Sequence, residues 1–198
     1  MGKRHIFLDI ETSGLKPPPE GDAVILSIGA IAEVGGNKSE REFSEFYALI
    51  RPTKTQWELA TPEALQVNGL TWETLQAEGK PFSEAREEFL RWAMENRLSG
   101  GNVVLVGQNP RFDLGFLQCY MGAELRFIGF PLGEPIDIRD LYSILVNRKV
   151  MPYLKKRDGH SISKALGVPE EPWPHNALEG ARAVQRNYNA LLALGIKD

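Results

Sequence analysis

The order in which extended and helical patterns follow one another is what most narrows the folds open to this chain. His5 to Ile10, Ala23 to Ala32 and Arg41 to Ile50 read as three successive strands, and Val34-Gly35-Gly36-Asn37 is a hairpin signal that makes the second and third antiparallel. From Thr61 the periodicity becomes helical. Thr61-Pro62-Glu63-Ala64 opens a short helix, Thr71 to Ala77 a second, and Pro81 a longer one reaching about Asn96. Val103 to Val106 is an apolar run of buried-strand type. It feeds a helix whose N-cap and first position are Asn109-Pro110 and which runs to about Met121. Pro135 to Ile138 predicts a fifth strand, followed by helices at Arg139 to Val146, Ser161 to Leu166 and Asn176 to Leu194. An antiparallel start followed by alternating helices and strands predicts an α/β fold, a mixed five-stranded sheet flanked by helices.

With 198 residues, 42% of them apolar, the chain is of a size to bury one core, and neither a repeat nor a linker divides it, so residues 1–198 are expected to form a single domain. No apolar run approaches the roughly 20 residues of a membrane span, and Met-Gly-Lys-Arg-His at the start matches neither a secretory leader nor a myristoylation pattern. No membrane association is expected. Cys119 is the only cysteine, which excludes an intrachain disulfide and a thiolate zinc cluster and makes the cytoplasm the expected compartment. A net charge of −3 argues against a general nucleic-acid coat protein, which needs a broad basic surface. A protein whose acids gather around divalent cations escapes that objection, because bound ions reverse the local field toward a phosphate.

Three clusters carry chemistry. Asp9 and Glu11 flank Ile10 at the end of the first strand, and residues i and i+2 of a strand share a face. Two unpaired carboxylates there are costly without a cation, and hard oxygen ligands suit Mg²⁺ or Mn²⁺; the alternative is a solvent-facing strand end. Asp113 falls in the first turn of the helix after the fourth strand, where an acid also complements the helix dipole with no chemical role. His175 enters the last helix from the proline-stiffened Pro172-Trp173-Pro174 loop, a position from which an imidazole reaches a site. Arg148, Lys149, Lys155, Lys156 and Arg157 put five positive charges within ten residues, suited either to following the backbone of a single strand or to solvation.

Phe7-Leu8-Asp9-Ile10-Glu11-Thr12-Ser13-Gly14-Leu15 resembles the first motif of the DEDDh exonucleases, a family of the ribonuclease H-like superfamily. Asn109 to Asp113 is similar to the second, and His175-Asn176-Ala177-Leu178 to the start of the third. The stretch from Thr61 through Asn68-Gly69-Leu70-Thr71 to Pro81-Phe82 is similar to what lies between the first two, although histidine often stands where Asn68 does. The order and spacing agree over nearly the whole chain, which is more specific than any one motif. One departure stands out: the family's third motif ends in an aspartate five residues after the histidine, and here that position is Gly180. Glu179, the nearest acid, is expected to pair reciprocally with Asn176 in a capping box in preference to replacing the ligand.

The resemblance implies a ribonuclease H-like fold and a metal-dependent 3′–5′ exonuclease that hydrolyses single-stranded DNA or RNA from its 3′ end to nucleoside 5′-monophosphates. It implies a two-ion Mg²⁺ or Mn²⁺ site with Asp9, Glu11 and Asp113 as ligands, one ion weakened by the missing acid, and His175 as general base. Thr12, Leu15, Asn109 and Phe112 are the implied contacts of the terminal nucleotide. It leaves open a homodimer and a polymerase partner. Two rival expectations remain: a catalytically impaired nucleic-acid-binding or partner-binding module on the same fold, and a metal-dependent hydrolase of another phosphate ester. If position 180 faces the site, Gly180→Asp is expected to raise activity.

Overall fold

The computed structural model describes residues 3–36 and 41–195. Strands β1 (Arg4–Thr12), β2 (Ile25–Gly36) and β3 (Arg41–Leu49) come first, then helices α1 (Lys54–Glu58), α2 (Pro62–Asn68), α3 (Trp72–Glu78) and α4 (Phe82–Glu95). Strand β4 (Val103–Gly107), α5 (Pro110–Phe127), β5 (Ile136–Asp137), α6 (Ile138–Asn147), α7 (Gly159–Leu166) and α8 (Ala177–Ala193) complete the described elements. The five strands form one mixed sheet in the order β3-β2-β1-β4-β5, antiparallel across β1, β2 and β3 and parallel from β1 through β4 to β5. This is the α/β architecture expected, the ribonuclease H-like fold. None of the described helices is long and apolar enough to cross a membrane.

Strand β1 is central, and its two faces enter different cores, as a strand covered by helices on both sides requires. Ile6, Leu8 and Ile10 join Phe89 and Trp92 of α4 and Leu114 and Leu117 of α5. Phe7, on the opposite face, packs with Tyr142 of α6, Ile162 of α7 and Ala181, Val184 and Tyr188 of α8. Asp9 and Glu11 share the parity of Phe7, so strand alternation turns both carboxylates toward the α8 side of the sheet.

Helix α8 is therefore the element that matters for the site, and small residues let it approach. Its buried residues Ala177, Gly180, Ala181, Val184, Tyr188 and Leu191 recur at helical spacing along one face. At Gly29, the β2 residue opposite Asp9, an added Cβ would lie 2.1 Å from the carbonyl carbon of Ala177. Any larger residue at 29 would push the start of α8 off the sheet. Toward its other end the helix is tied to β1 by the Tyr188 hydroxyl, 2.9 Å from Nε2 of buried His5, whose Nδ1 lies 3.1 Å from Glu33.

Several boundaries differ from expectation. Strand β2 continues to Gly36, three residues into the expected turn, and Asn37 lies outside the described residues. Helix α1 is not among the expected helices. A capping box between Thr53 and Gln56 supports it, but it has no buried residue and hence no periodicity to betray it. Helix α5 runs past Met121 to Phe127 through a kink where Met121 has φ −148° and ψ 21°, beside Gly122. Asn109 does not cap α5: it sits in the left-handed region at φ 58° and makes no side-chain capping bond. Its Oδ1 instead accepts from Arg139 at 2.7 Å.

Candidate active site

The end of β1, the first turn of α5 and the loop entering α8 meet at one point. Asp113 is buried, and its Oδ1 accepts the backbone N–H of Ile10 at 3.1 Å, which locks α5 against β1 between the two strand acids. Glu11 is 8% exposed, and among the described residues no hydrogen bond to its carboxylate is formed. The loop ahead of α8 is docked from outside. The His175 N–H donates to the Val67 carbonyl at 3.0 Å, and an added Cβ at Gly69, the left-handed C-cap of α2, would strike the Pro174 ring at 2.7 Å. Asn176 then caps α8 through Oδ1 to the amides of Leu178 and Glu179 and donates from Nδ2 to the Tyr47 hydroxyl on β3 at 2.9 Å.

This docking brings Glu171 to the strand acids. Ligand atoms of Glu11, Glu171 and His175 lie within 4.8 Å of one another. Oε1 of Glu171 is buried with no hydrogen-bond partner, while Oε2 lies 3.6 Å from Nδ1 of His175. No motif singles out Glu171. Its one local signal is its place in the proline-flanked run before His175, and four residues apart in a loop implies no proximity.

Crowding and burial set the electrostatics. The Asp9 carboxyl is held well above its ordinary pKa, first by desolvation and then by the negative charges of Asp113, Glu11 and Glu171. Glu11 and Asp113 are each pushed up to about 8, desolvation again being the largest cause, and Glu171 to about 7 for the same reason. Burial lowers the pKa of His175, leaving its imidazole neutral near pH 7. Glu11, Glu171 and His175 offer ligand atoms close enough to share a divalent cation, whose charge would offset the desolvation of these acids and the repulsion among Asp9, Glu11, Asp113 and Glu171.

A cleft of about 680 Å³ opens beside these acids, lined by Thr12, Leu15, Ala64, Val67, Asn68 and Phe112 among others, with Glu11 at its edge. Leu15 is 80% exposed within it. Asn68, where histidine was the alternative, is buried: its Nδ2 donates to the Thr12 carbonyl at 3.2 Å and its Oδ1 accepts from Leu70. Of the expected nucleotide contacts Thr12, Leu15 and Phe112 line the cleft, whereas Asn109 does not and is held outward by Arg139.

The third cluster requires two corrections. Glu179 does not complete a capping box; it pairs with Arg182, which also binds Glu45 of β3 at 2.6 Å, though its charge still reaches Glu171. Gly180 does face the site, but an added Cβ would lie 2.3 Å from Oδ2 of Asp9. The Asp9 carboxylate fills the space through which an acid at 180 would enter, so Gly180→Asp would have to turn that carboxylate aside.

The exonuclease family model RNase_T matches residues 6–186. The 3′–5′ DNA exonuclease Cap18 of Escherichia coli is 29% identical over 177 residues, covering 89% of this chain and 85% of Cap18. Among solved structures, cell-death related nuclease 4 superposes with a TM-score of 0.76 at 14% identity, over 98% of this chain but only 65% of that one. The nuclease domain of 3′hExo, a DEDDh member bound to rAMP, gives 0.70 at 16% identity over 98% and 94%. Zinc-bound E. coli ExoI in complex with single-stranded DNA gives 0.70 at 15% identity over 98% and 40%. At such identities these structures speak for the fold, and the family match speaks for the chemistry. The chain belongs to the RNase_T exonuclease family, with glycine at position 180, where its resemblance to the DEDDh motifs implies an acid.

Proposed function

We propose that this nuclease is a divalent-metal-dependent 3′–5′ exonuclease that removes nucleoside 5′-monophosphates from single-stranded DNA or RNA. The observation that carries the reading is the buried, mutually interacting group Asp9, Glu11 and Asp113, all with raised pKa, with Glu11 within 4.8 Å of a neutral His175 and a nucleotide-sized cleft alongside. The directionality in the name of Cap18, the rAMP bound to 3′hExo and the single strand bound to ExoI agree with it.

Asp9, Glu11 and Asp113 would hold Mg²⁺ or Mn²⁺, which supplies Lewis-acid stabilisation of the attacking and leaving oxygens when bound. The chain does the rest. Asp113 is fixed in place by the Ile10 amide. His175 has the protonation state to take a proton from the attacking water at neutral pH, and the Val67 carbonyl and Pro174 on Gly69 hold its backbone steady. Phe112 and Leu15 offer apolar surface to the terminal base, and Asn68 stiffens the cleft by securing the Thr12 carbonyl. The lack of an acid at 180 supports a second reading, a module that binds strands without cutting them.

The test is turnover of single-stranded oligonucleotides in Mn²⁺, in Mg²⁺ and in excess chelator. The proposal expects mononucleotides with either ion and none with chelator. Tight strand binding with no release in any condition would favour the second reading.

A further inference from the structure

We propose that Glu171 takes the place of the acid missing at position 180 and holds the divalent cation together with Glu11, from the loop before α8 and not from the helix itself. This rests on the reading of the site as metal-dependent, and it assigns a ligand to a residue that no motif marks.

Three observations carry it. Position 180 carries no side chain, and one there would meet the Asp9 carboxylate at 2.3 Å and have to turn it aside. The nearest acid along the helix, Glu179, is taken up by Arg182. A replacement ligand must therefore come from another element, and the loop carrying Glu171 is the one that arrives: its ligand atom lies within 4.8 Å of those of Glu11 and His175.

The second observation is the state of the carboxylates. Glu11 is more than nine-tenths buried, has no hydrogen-bond partner among the described residues and is aimed at this cluster. Oε1 of Glu171 is likewise enclosed with no partner. Two desolvated carboxylates whose ligand atoms lie within 4.8 Å of each other repel unless a cation or a proton lies between them. The loop does not offer this arrangement by chance of a mobile side chain, because Val67, Gly69 and Tyr47 anchor it through His175, Pro174 and Asn176.

The third observation separates a ligand from a mere orienter of the histidine. Oε2 of Glu171 lies 3.6 Å from Nδ1 of His175, too long for a hydrogen bond; the Asn176 amide is the one backbone donor to the carboxylate, and Oε1 is left without a partner. A carboxylate whose task was to orient the imidazole would be expected to hold Nδ1 at hydrogen-bond distance.

The experiment is Mn²⁺ binding by calorimetry and by electron paramagnetic resonance on the intact wild-type chain, Glu171→Gln and Glu179→Gln, with circular dichroism confirming the fold. Glu171→Gln is expected to raise the Mn²⁺ dissociation constant by at least about 10-fold, since even outer-shell losses cost 10–100-fold, while Glu179→Gln stays within about twofold of wild type. Unchanged Mn²⁺ binding in Glu171→Gln with a shifted pH profile of turnover would overturn the ligand role and leave Glu171 as a positioning residue. No Mn²⁺ binding by the wild type would overturn the metal-dependent reading as well. Should Glu171→Gln fail to fold, anomalous scattering from Mn²⁺-soaked wild-type crystals decides: a peak within bonding distance of Glu171 supports the assignment, and a peak on Asp9 and Asp113 alone contradicts it.

Discussion

The Oδ2 atom of Asp9 occupies the space in which a side chain at position 180 would begin, 2.3 Å from where its Cβ would stand. Glycine at 180 and the position of Asp9 are thus one feature, and each explains the other. A glycine within α8 costs about 1 kcal/mol of helix propensity, which the close approach of the strand acid accounts for.

Gly180→Ala is accordingly expected to lower turnover at least about 10-fold, because the methyl group displaces the Asp9 carboxylate. Overpacking of about 1–3 kcal/mol outweighs the propensity gain, so the melting temperature should fall modestly. Gly180→Asp is expected to follow the same direction, in contrast to what the motif alone suggests. Wild-type turnover in Gly180→Ala, measured with strand in excess, would show that Asp9 acts from another rotamer.

Stability should depend on pH in a way set by the same acids. Glu11 rises from 4.5 to about 8 and Asp113 from 3.8 to about 8, so between these limits the folded metal-free protein binds more protons than the unfolded chain. Stability then falls as pH rises through that window and is greatest at its acid end. Thermal unfolding at a series of pH values is expected to show this decline in chelator. Saturating Mn²⁺ should flatten it, because at 100 times the dissociation constant a bound ion adds about 2.7 kcal/mol. A stability that climbs with pH in chelator would contradict the assigned environments.

Much of this site is written locally in the chain, and the part that is not has a physical reason. The two acids of β1 are legible because strand alternation needs only the order Phe7, Asp9, Glu11. The start of α8 is legible from Asn176 and the apolar spacing behind it. Asn109-Pro110 misleads, because Arg139, thirty residues away, takes the Asn109 side chain that would otherwise cap the helix. Glu171 is silent for a related reason: its approach to Glu11 follows from Pro174 docking on Gly69 and from the His175 amide reaching Val67, pairings of residues more than a hundred positions apart.

The cleft should govern substrate affinity more than chemistry. Leu15 is 80% exposed and remote from the buried core, so Leu15→Ala is expected to leave the melting temperature within about 1 °C while raising KM several-fold with little change in kcat. A fall in kcat with unchanged KM would place Leu15 in the chemical step instead.

The basic segment after α6 offers a further test. Arg148, Lys149, Lys155, Lys156 and Arg157 are all exposed, and Gly159 beyond them packs close to Gln108 in the turn that leads to Asp113. If they follow a strand toward the site, replacing all five by glutamine should reduce the slope of log affinity against log salt by about 0.7 for each phosphate they neutralise. An identical slope would leave them as a solvated loop.

The direction of cutting tests the central claim most directly. A single strand labelled at its 5′ end, incubated with Mn²⁺ and sampled over time, should yield a ladder that shortens one nucleotide at a time from the 3′ end. It should stop entirely when the 3′ hydroxyl is blocked, and it should be absent in Asp9→Ala and His175→Ala proteins that remain folded. Internal fragments from the blocked strand, or undiminished shortening by Asp9→Ala, would contradict the account.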